Sequence, residues 1–400
     1  MTQSNDLSRS LVVLEQDTTL IAVVELSQST WLTSALVPGL SRDPVKKLEG
    51  PRQGRGKKRR APVAEDLLAQ LQRWRDEALK AGRRITRVAV AFEAGRDGFW
   101  LARCLQRQGV EAYVIHPSSV PVPRQHRRAK SDRLDLQLLM RCFLGWLRGE
   151  KKHCQMCAIP TLEEEDARRP GRERETLVVE VRRTVNRMKS RLAQFGVQGF
   201  KPTLRRAAAK LAALRTPEGE PLPANTRAEL ERLMQRLLLL RAQIKEIEAA
   251  RLERLEQAPE QHAPVLQLAR AEGLGVETAD LLVREVFSRP LRDERAVGRY
   301  GGLTGAPDQS GARCREQGLA RSGNARVKRS MIQLAWRFLQ FQPDLALVRW
   351  YRERTAKAAR GVRKQMIVAL ARKLLVALWR MAGTGEVPEG LRLRPATIAV

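Results

Sequence analysis

The amino-acid sequence predicts two structural classes in one chain, an α/β region at the N-terminus followed by a mainly α-helical remainder. Short β-rich runs alternate with amphipathic helical patterns up to about residue 150. The pattern is wholly helical from about 170 to 257, and helical again from about 261 except for one glycine-rich stretch. Alternating strands and helices are typical of a sheet covered by helices. We therefore predict three domains, at 1–150, 151–260 and 261–400.

The elements of the first domain follow from its hydrophobic periodicity. Predicted strands are LIAVVEL from Leu20, STWLTSALV from Ser29, RITRVAVAFE from Arg84 and EAYVIHP ending at Pro117, and predicted helices are DLLAQLQRWRDEALKAG ending at Gly82 and GFWLARCLQRQG closed by Gly109. Together these elements indicate a mixed sheet with flanking helices. The segment from Ser41 to Arg60 holds nine basic and two acidic residues among glycines and prolines, which predicts an exposed basic loop.

The second domain contains two helices separated by a proline- and glycine-rich hinge from Thr216 to Thr226. Thr226 and Glu229 have the spacing of a capping box, which predicts that the second helix begins there. Leucines and isoleucines recur along it at spacings of three and four, at Leu230, Leu233, Leu237, Leu240, Ile244 and Ile247. Such a seam needs a partner helix. The partner is either the preceding helix, which ends near Arg191, or another subunit in a coiled coil.

The third domain carries a glycine turn and a basic terminal helix. GLGVETAD, from Gly273 to Asp280, resembles a helix-hairpin-helix turn whose backbone N–H groups approach a DNA phosphate, although a simple helix start explains it equally well. The final helix lines one face with Ile367, Leu370, Leu374 and Leu378. Six basic residues lie just before this helix and in its first turn, and Glu353 is the one acidic residue among them. This excess of positive charge suits contact with a phosphate backbone. The six are Arg352, Arg354, Lys357, Arg360, Arg363 and Lys364.

The net charge of the chain indicates the class of partner that it binds. The formal net charge is +30, whereas 43% of the residues are hydrophobic, so the chain can fold and its expected partner is a polyanion. Neither a membrane-spanning run nor a secretory signal is evident. Five cysteines spread over the chain indicate reduced thiols, and we expect a cytoplasmic protein.

Four acidic residues of the first domain could form a metal site. Glu25 and Glu93 end predicted strands, and Asp132 and Asp135 lie on one face of a predicted helix start. Carboxylates at such places can converge and hold two Mg²⁺ ions for phosphodiester cleavage. The alternative is structural, because aspartates in a first helical turn also offset the helix dipole and surface glutamates commonly form salt bridges.

One serine stands among arginines in the glycine-rich stretch. Ser310 lies in DQSGARCREQG, near Arg313, Arg315 and Arg321, whose guanidinium groups could stabilise a phosphoryl transition state. Composition alone makes it an ordinary loop serine.

The order of these motifs resembles one family, the DEDD-type transposases of bacterial insertion sequences, family one-hundred-and-ten, also described as bridge-RNA-guided recombinases. The resemblance covers nearly the whole chain, and its most specific segments are FEAGRDGFW, RRAKSDRLD, GLGVETAD and YGGLTGAPDQSGARCREQGLARSGNARVKRSMIQ. It implies an N-terminal RuvC-like, RNase H-fold domain, a coiled-coil insertion and a C-terminal transposase domain. It also implies a bacterial protein associated with the nucleoid, and a multimer, a dimer or tetramer, in which the metal site of one subunit meets the serine of another.

The resemblance assigns roles to particular residues. The acidic quartet falls on Glu25, Glu93, Asp132 and Asp135, and the nucleophilic serine on Ser310. The first acid of the family is usually an aspartate, so Glu25 is one methylene longer. We assign nucleic-acid binding to a basic and glycine-rich set: Arg127, Arg128, Lys130, Gly273, Gly275, Arg313, Arg315, Arg321, Asn324 and Arg326.

These observations predict an RNA-guided DNA transposase or recombinase that uses Mg²⁺ and a covalent serine–DNA link, with DNA and a structured guide RNA from the element as partners. Two alternatives stay open. One is a metal-dependent nuclease that uses water in place of the serine. The other is a non-catalytic nucleic-acid-binding protein, for which the charge alone would suffice.

Overall fold

The computed structural model describes residues 7–50, 61–96, 98–121, 132–310, 313–319 and 322–395, of which 307–310 and 313–317 are described by their backbone alone. The chain divides into two compact units, Met1–Leu162 and Glu163–Val400. Among the described residues, no helix is long and apolar enough to cross a membrane. The predicted boundary near 260 falls inside the second unit and stays a prediction.

A five-stranded mixed sheet organises the first unit. Its strands are β1 (Thr19–Leu26), β2 (Trp31–Leu36), β3 (Val45–Leu48), β4 (Arg87–Glu93) and β5 (Glu111–Ile115), and they lie in the order β3-β2-β1-β4-β5. The first three pair antiparallel, whereas β4 and β5 run parallel to β1. The mixed α/β prediction is therefore confirmed, and each predicted strand has a counterpart.

Helices cover both faces of this sheet. Along β1, Leu20, Ala22 and Val24 pack with α1 (Ala64–Lys80) and α2 (Trp100–Arg107). The alternate residues Ile21 and Val23 pack with α3 (Asp132–Leu147). A strand buried on both faces reads as one continuous apolar run, as β1 does, because neither face meets water.

One sequence prediction in this unit is wrong. The segment from Ser41 to Arg60 was expected to be entirely loop, yet it contains β3, where Val45 pairs with Ser34 and Leu48 with Trp31. The strand lies at the sheet edge and buries only Leu48, so its lysines remain in water. Lysines are common on edge strands, where they discourage pairing with other chains, and they hide the strand pattern. Residues 51–60 of the predicted loop lie outside the described residues.

The second unit is mainly helical, as predicted. After the short α4 (Leu162–Asp166), its helices are α5 (Arg169–Ala193), α6 (Ala207–Ala212), α7 (Ala224–Gln257), α8 (Ala263–Ala269), α9 (Val276–Leu282), α10 (Glu294–Tyr300), α11 (Ala325–Phe341), α12 (Ala346–Thr355) and α13 (Arg360–Thr384). A π-helical turn, Val283–Phe287, continues α9. The predicted apolar face of α13 is confirmed, because Ile367, Leu370, Leu374 and Leu378 are all buried in the main core of the unit.

The long helix α7 packs within the chain. Leu230, Leu233 and Leu237 share a core with Met188 and Leu192 of α5, so the intramolecular hairpin is the arrangement found for this part of the seam. The capping-box prediction is wrong, because α7 begins at Ala224 and Thr226 already lies inside the helix. The N-cap is Pro223, with φ −53° and ψ 143°, so the helix starts three residues earlier than a Thr226 cap predicts.

Candidate active site

Parallel pairing of β1 and β4 brings two of the predicted carboxylates together. Val24 pairs with Phe92, and Glu25 and Glu93 are the next residues along their strands. Both therefore lie at the carboxyl edge of the sheet, where α/β folds place their sites. Burial of the preceding residues, from Leu20 to Val24 and from Ala89 to Phe92, fixes the position of these strand ends.

A third carboxylate comes from α3. Leu136, Leu139 and Phe143 bury this helix against the sheet, and Asp135 stands in its first turn, half-buried. A cleft of about 570 Å³ opens between the strand ends and the helix. Its lining includes three members of the predicted quartet together with a cation and two glycines: Glu25, Glu93, Asp135, Arg96, Gly95 and Gly98.

The fourth predicted acid stands apart. Asp132 is the first residue of α3 and is exposed, and it is not part of the lining of the cleft. Its helical spacing puts it on the same side of α3 as Asp135, one turn nearer the helix start. The predicted basic residues Arg127, Arg128 and Lys130 precede it and lie outside the described residues.

Donor chemistry at the cleft suits a hard divalent cation. Three carboxylates supply oxygen atoms, which are the ligands that Mg²⁺ prefers. Within the described parts of the chain, no three His, Cys, Asp or Glu side chains are already close enough together to hold an ion. The carboxylates thus share one cleft without forming a finished coordination shell. Arg96, which sequence reasoning missed, adds a positive group suited to a phosphate. Its signal in the sequence is its place directly after the EAG in which the strand ends.

The predicted nucleophile lies on a β-hairpin inside the helical unit. Strands β6 (Gly305–Ser310) and β7 (Arg313–Leu319) pair antiparallel, and Ser310 is paired with Arg313 at the end of the hairpin. The side chains of Ser310, Arg313 and Arg315, and the whole of Arg321, lie outside the described residues. The hairpin was missed in the sequence. The sequence signal is a glycine at position 311, because glycine is common between two strands of a hairpin.

GLGVETAD forms the expected turn between two helices. α8 ends at Ala269 and α9 begins at Val276, with Gly275 immediately before it. Gly273 has φ +83°, and a Cβ there would lie 3.0 Å from the Phe341 side chain. A glycine is therefore required by both backbone conformation and space. Phosphate binding by Gly273 and Gly275 stays a prediction.

Two predicted nucleic-acid-binding residues contact the protein itself. Asn324 caps α11, accepting hydrogen bonds from the N–H groups of Arg326 at 3.0 Å and Val327 at 3.4 Å. The Arg326 guanidinium donates to Glu175 of α5 at 2.6 Å. Their contribution to nucleic-acid binding stays a prediction, and the structure gives both a role in holding the helical unit together.

Comparison with known proteins identifies the family to which the chain belongs. Residues 266–348, which include the glycine turn and the serine hairpin, match the model described as "Transposase IS116/IS110/IS902 family". The chain is also 40% identical over 380 residues to the "Putative transposase y4rJ" of Sinorhizobium fredii (strain NBRC 101917 / NGR234), an alignment that covers 92% of each protein. This protein therefore belongs to the IS116/IS110/IS902 family of transposases, and it is a transposase enzyme that acts on DNA.

Proposed function

We propose that this transposase is an RNA-guided DNA recombinase in which the acidic quartet and Ser310 act together. The observation that carries the proposal is the cleft that Glu25, Glu93 and Asp135 line together. The strand order β3-β2-β1-β4-β5, with three antiparallel and two parallel strands, supports a RuvC-like, RNase H-type domain. Carboxylates at its central strand ends and on a following helix are consistent with that fold.

The quartet would hold Mg²⁺, with Glu25, Glu93 and Asp135 as ligands from the cleft and Asp132 as the fourth. Bound Mg²⁺, in one or two ions, would neutralise charge on a phosphodiester that enters the cleft. The chain's own groups position the DNA: Arg96 attracts the phosphate, and Gly95 and Gly98 leave room for a backbone beside the strand ends. Glu25, one methylene longer than aspartate, would reach the same point from a slightly different backbone position.

Ser310 would attack phosphorus through its hydroxyl oxygen. A serine–phosphorus bond forms, one DNA strand leaves with a free hydroxyl end, and a second strand's hydroxyl later displaces the serine. The four histidines of the chain are His116, His126, His153 and His262, none of which is near Ser310 in sequence. A carboxylate from the quartet of another subunit is therefore the proposed proton acceptor. This composite site requires a homo-oligomer, a dimer or a tetramer.

RNA guidance is the part of the proposal that rests on the motif resemblance together with charge. A net charge of +30 exceeds what solubility requires and suits two nucleic-acid partners. Binding should be tested with an RNA transcribed from the noncoding segment that flanks the gene. Recombination that proceeds equally well without that RNA would contradict guidance.

Three variants test the chemistry. Glu25→Asp should retain strand cleavage with Mg²⁺, whereas Glu25→Gln should abolish it while DNA binding is retained, because only the first variant keeps a charged oxygen donor. Denatured reaction mixtures separated by mass should show protein joined to DNA for the parent and none for Ser310→Ala. Cleavage without any adduct would favour a water-using nuclease. An adduct that survives Ser310→Ala would refute the assigned nucleophile.

A further inference from the structure

The helical unit contains a buried carboxylate that the proposed chemistry does not use. Glu285 is only 4% exposed and lies in the π-helical turn Val283–Phe287. A buried charge is costly unless it is paired and hydrogen-bonded. π-helical turns are uncommon and occur frequently at functional sites. Both features indicate that the partners of Glu285 matter for the structure or the function of this unit.

Glu285 is fixed by two residues from different helices. Arg172 of α5 donates from Nε to Oε1 at 2.8 Å and from a terminal nitrogen to Oε2 at 3.1 Å. Asn324 donates its amide to Oε2 at 3.1 Å. Burial by itself raises the pKa of Glu285, but the hydrogen bonds and charges of its partners outweigh burial and lower the pKa below its usual value. The carboxylate is therefore ionised at neutral pH and can hold both partners.

Asn324 connects this carboxylate to the chain that leaves the serine hairpin. Its side-chain oxygen caps α11, and its own N–H donates to the Tyr300 carbonyl at 2.7 Å. The backbone and side-chain groups of this one residue thus bind the end of α10, the start of α11 and the π-helical turn.

Backbone contact joins the two ends of the hairpin segment at the same place. Gly323 has φ +97°, and a Cβ on it would lie 2.4 Å from the Gly302 Cα and 2.7 Å from the Arg299 carbonyl oxygen. Gly302 itself has φ +65°. The chain therefore enters and leaves the segment that contains β6 and β7 at one closely packed point. Asn324 follows Gly323 directly, so whatever holds Asn324 holds the base of the hairpin.

We propose that Glu285 is a positioning residue for the serine hairpin: Arg172 orients Glu285, and Glu285 orients Asn324 at the base of the segment carrying Ser310. We name Arg172, Glu285 and Asn324 the hairpin clamp. The inference rests on the proposed function, because it assumes that Ser310 is the nucleophile. A helix cap alone does not explain the clamp, since serine or aspartate would cap α11 as well as asparagine does. The amide donor of Asn324 is needed only for Glu285.

The test reverses the donor and the acceptor of the hydrogen bond between Asn324 and Glu285. Asn324→Asp keeps the cap but places a second carboxylate against Glu285. Adding Glu285→Gln restores a donor and an acceptor in the reverse direction. Full-length protein is mixed with Mg²⁺, a labelled duplex of the joined ends of the element encoding it, and RNA from the flanking noncoding segment. The rate of Ser310-dependent adduct at saturating DNA should fall about tenfold or more in Asn324→Asp. Because the rate is measured at saturating DNA, a change in DNA affinity does not enter it, and the double variant should recover most of the rate.

Two further variants separate positioning from stability. Asp293→Asn makes the reverse exchange at the cap of α10, where Asp293 accepts from the Ala296 N–H at 2.7 Å, and it should leave the adduct rate unchanged. Asn324→Ser keeps a cap without adding charge and should lose rate as Asn324→Asp does. Parental rate in both folded Asn324 variants would overturn the clamp, as would loss of folding in Asn324→Ser. A failure of the proposed serine chemistry can be distinguished from a failure of the clamp. It would appear as a protein–DNA adduct in Ser310→Ala, a variant in which the clamp residues are unchanged.

Discussion

Two adjacent leucines of α7 allow the intramolecular hairpin to be tested with identical chemistry. Leu237 is 0% exposed and Leu238 is 53% exposed. Leu237 packs in a core with residues from both helices, Met188, Leu192, Leu230 and Met234 among them. Replacing each leucine in turn by alanine removes the same atoms from two different surroundings.

The expected difference follows from burial. Truncating a fully buried leucine to alanine costs about 2–5 kcal/mol, depending on how far the neighbours close the cavity. Two methionines line this core and can adjust their flexible side chains, so we expect a loss of about 3 kcal/mol for Leu237→Ala. Leu238→Ala removes a side chain that is already half in water and should change stability by no more than about 0.5 kcal/mol.

Urea unfolding followed by far-ultraviolet circular dichroism measures both changes. The transition of the unit containing α7 should shift to lower urea in Leu237→Ala with an unchanged slope, because stability changes and the exposed area does not. The transition of the sheet-containing unit should stay in place, since Leu237 belongs to the other unit. Equal losses for Leu237→Ala and Leu238→Ala would refute the packing described here and favour a seam that faces another subunit.

Three further predictions concern charge and assembly. The pKa of Glu285 is lowered in the folded chain, so its ion pair stabilises the protein above about pH 4 and loses this effect as pH falls through the lowered value. The difference in unfolding free energy between the parent and Glu285→Gln should therefore shrink on acidification. A difference that does not depend on pH would contradict this. Nucleic-acid affinity should fall steeply with salt. If Arg360 contacts one phosphate, Arg360→Gln should make the slope of log affinity against log salt concentration shallower by about 0.9. Arg392 pairs with Asp344, so Arg392→Gln should leave that slope unchanged. If subunits meet through the outer face of α7, Leu238→Asp with Leu239→Asp should give a smaller species in sedimentation; unchanged mass with an intact fold would exclude that face.

Sequence periodicity predicted the central strands and the residues at which they end well, because these strands are buried on both faces. The apolar runs before Glu25 and Glu93 leave little choice of element, and the acids then fall at the sheet edge. β3 escaped prediction for the opposite reason, since three of its four residues are exposed and an edge strand needs little apolar pattern. The first α3 turn was also predicted, but which of its two aspartates lines the cleft depends on how the helix packs.

The serine hairpin shows a different limit. Most residues of β6 and β7 are polar or small, so no hydrophobic alternation marks either strand. Its base is fixed by residues distant in sequence: Arg172 lies more than a hundred positions before Glu285, and Asn324 lies 39 after it. Local pattern carries no information about such pairings. The hydrogen bonds between them become visible only when α5, the π-helical turn and α11 are packed.

The two proposed sites, the carboxylate cleft and the serine hairpin, are held in place in different ways because they lie in different surroundings. The cleft carboxylates continue strands and a helix whose neighbouring residues are buried, so the sheet itself holds them in place. A hairpin with few apolar residues cannot obtain its orientation from a core of its own, since a two-stranded ribbon is marginally stable at best. Its geometry must be fixed at the base, where Gly302 and Gly323 are in contact and Glu285 holds Asn324. Rigidity at the base would let the hairpin present Ser310 to a phosphate in a fixed orientation.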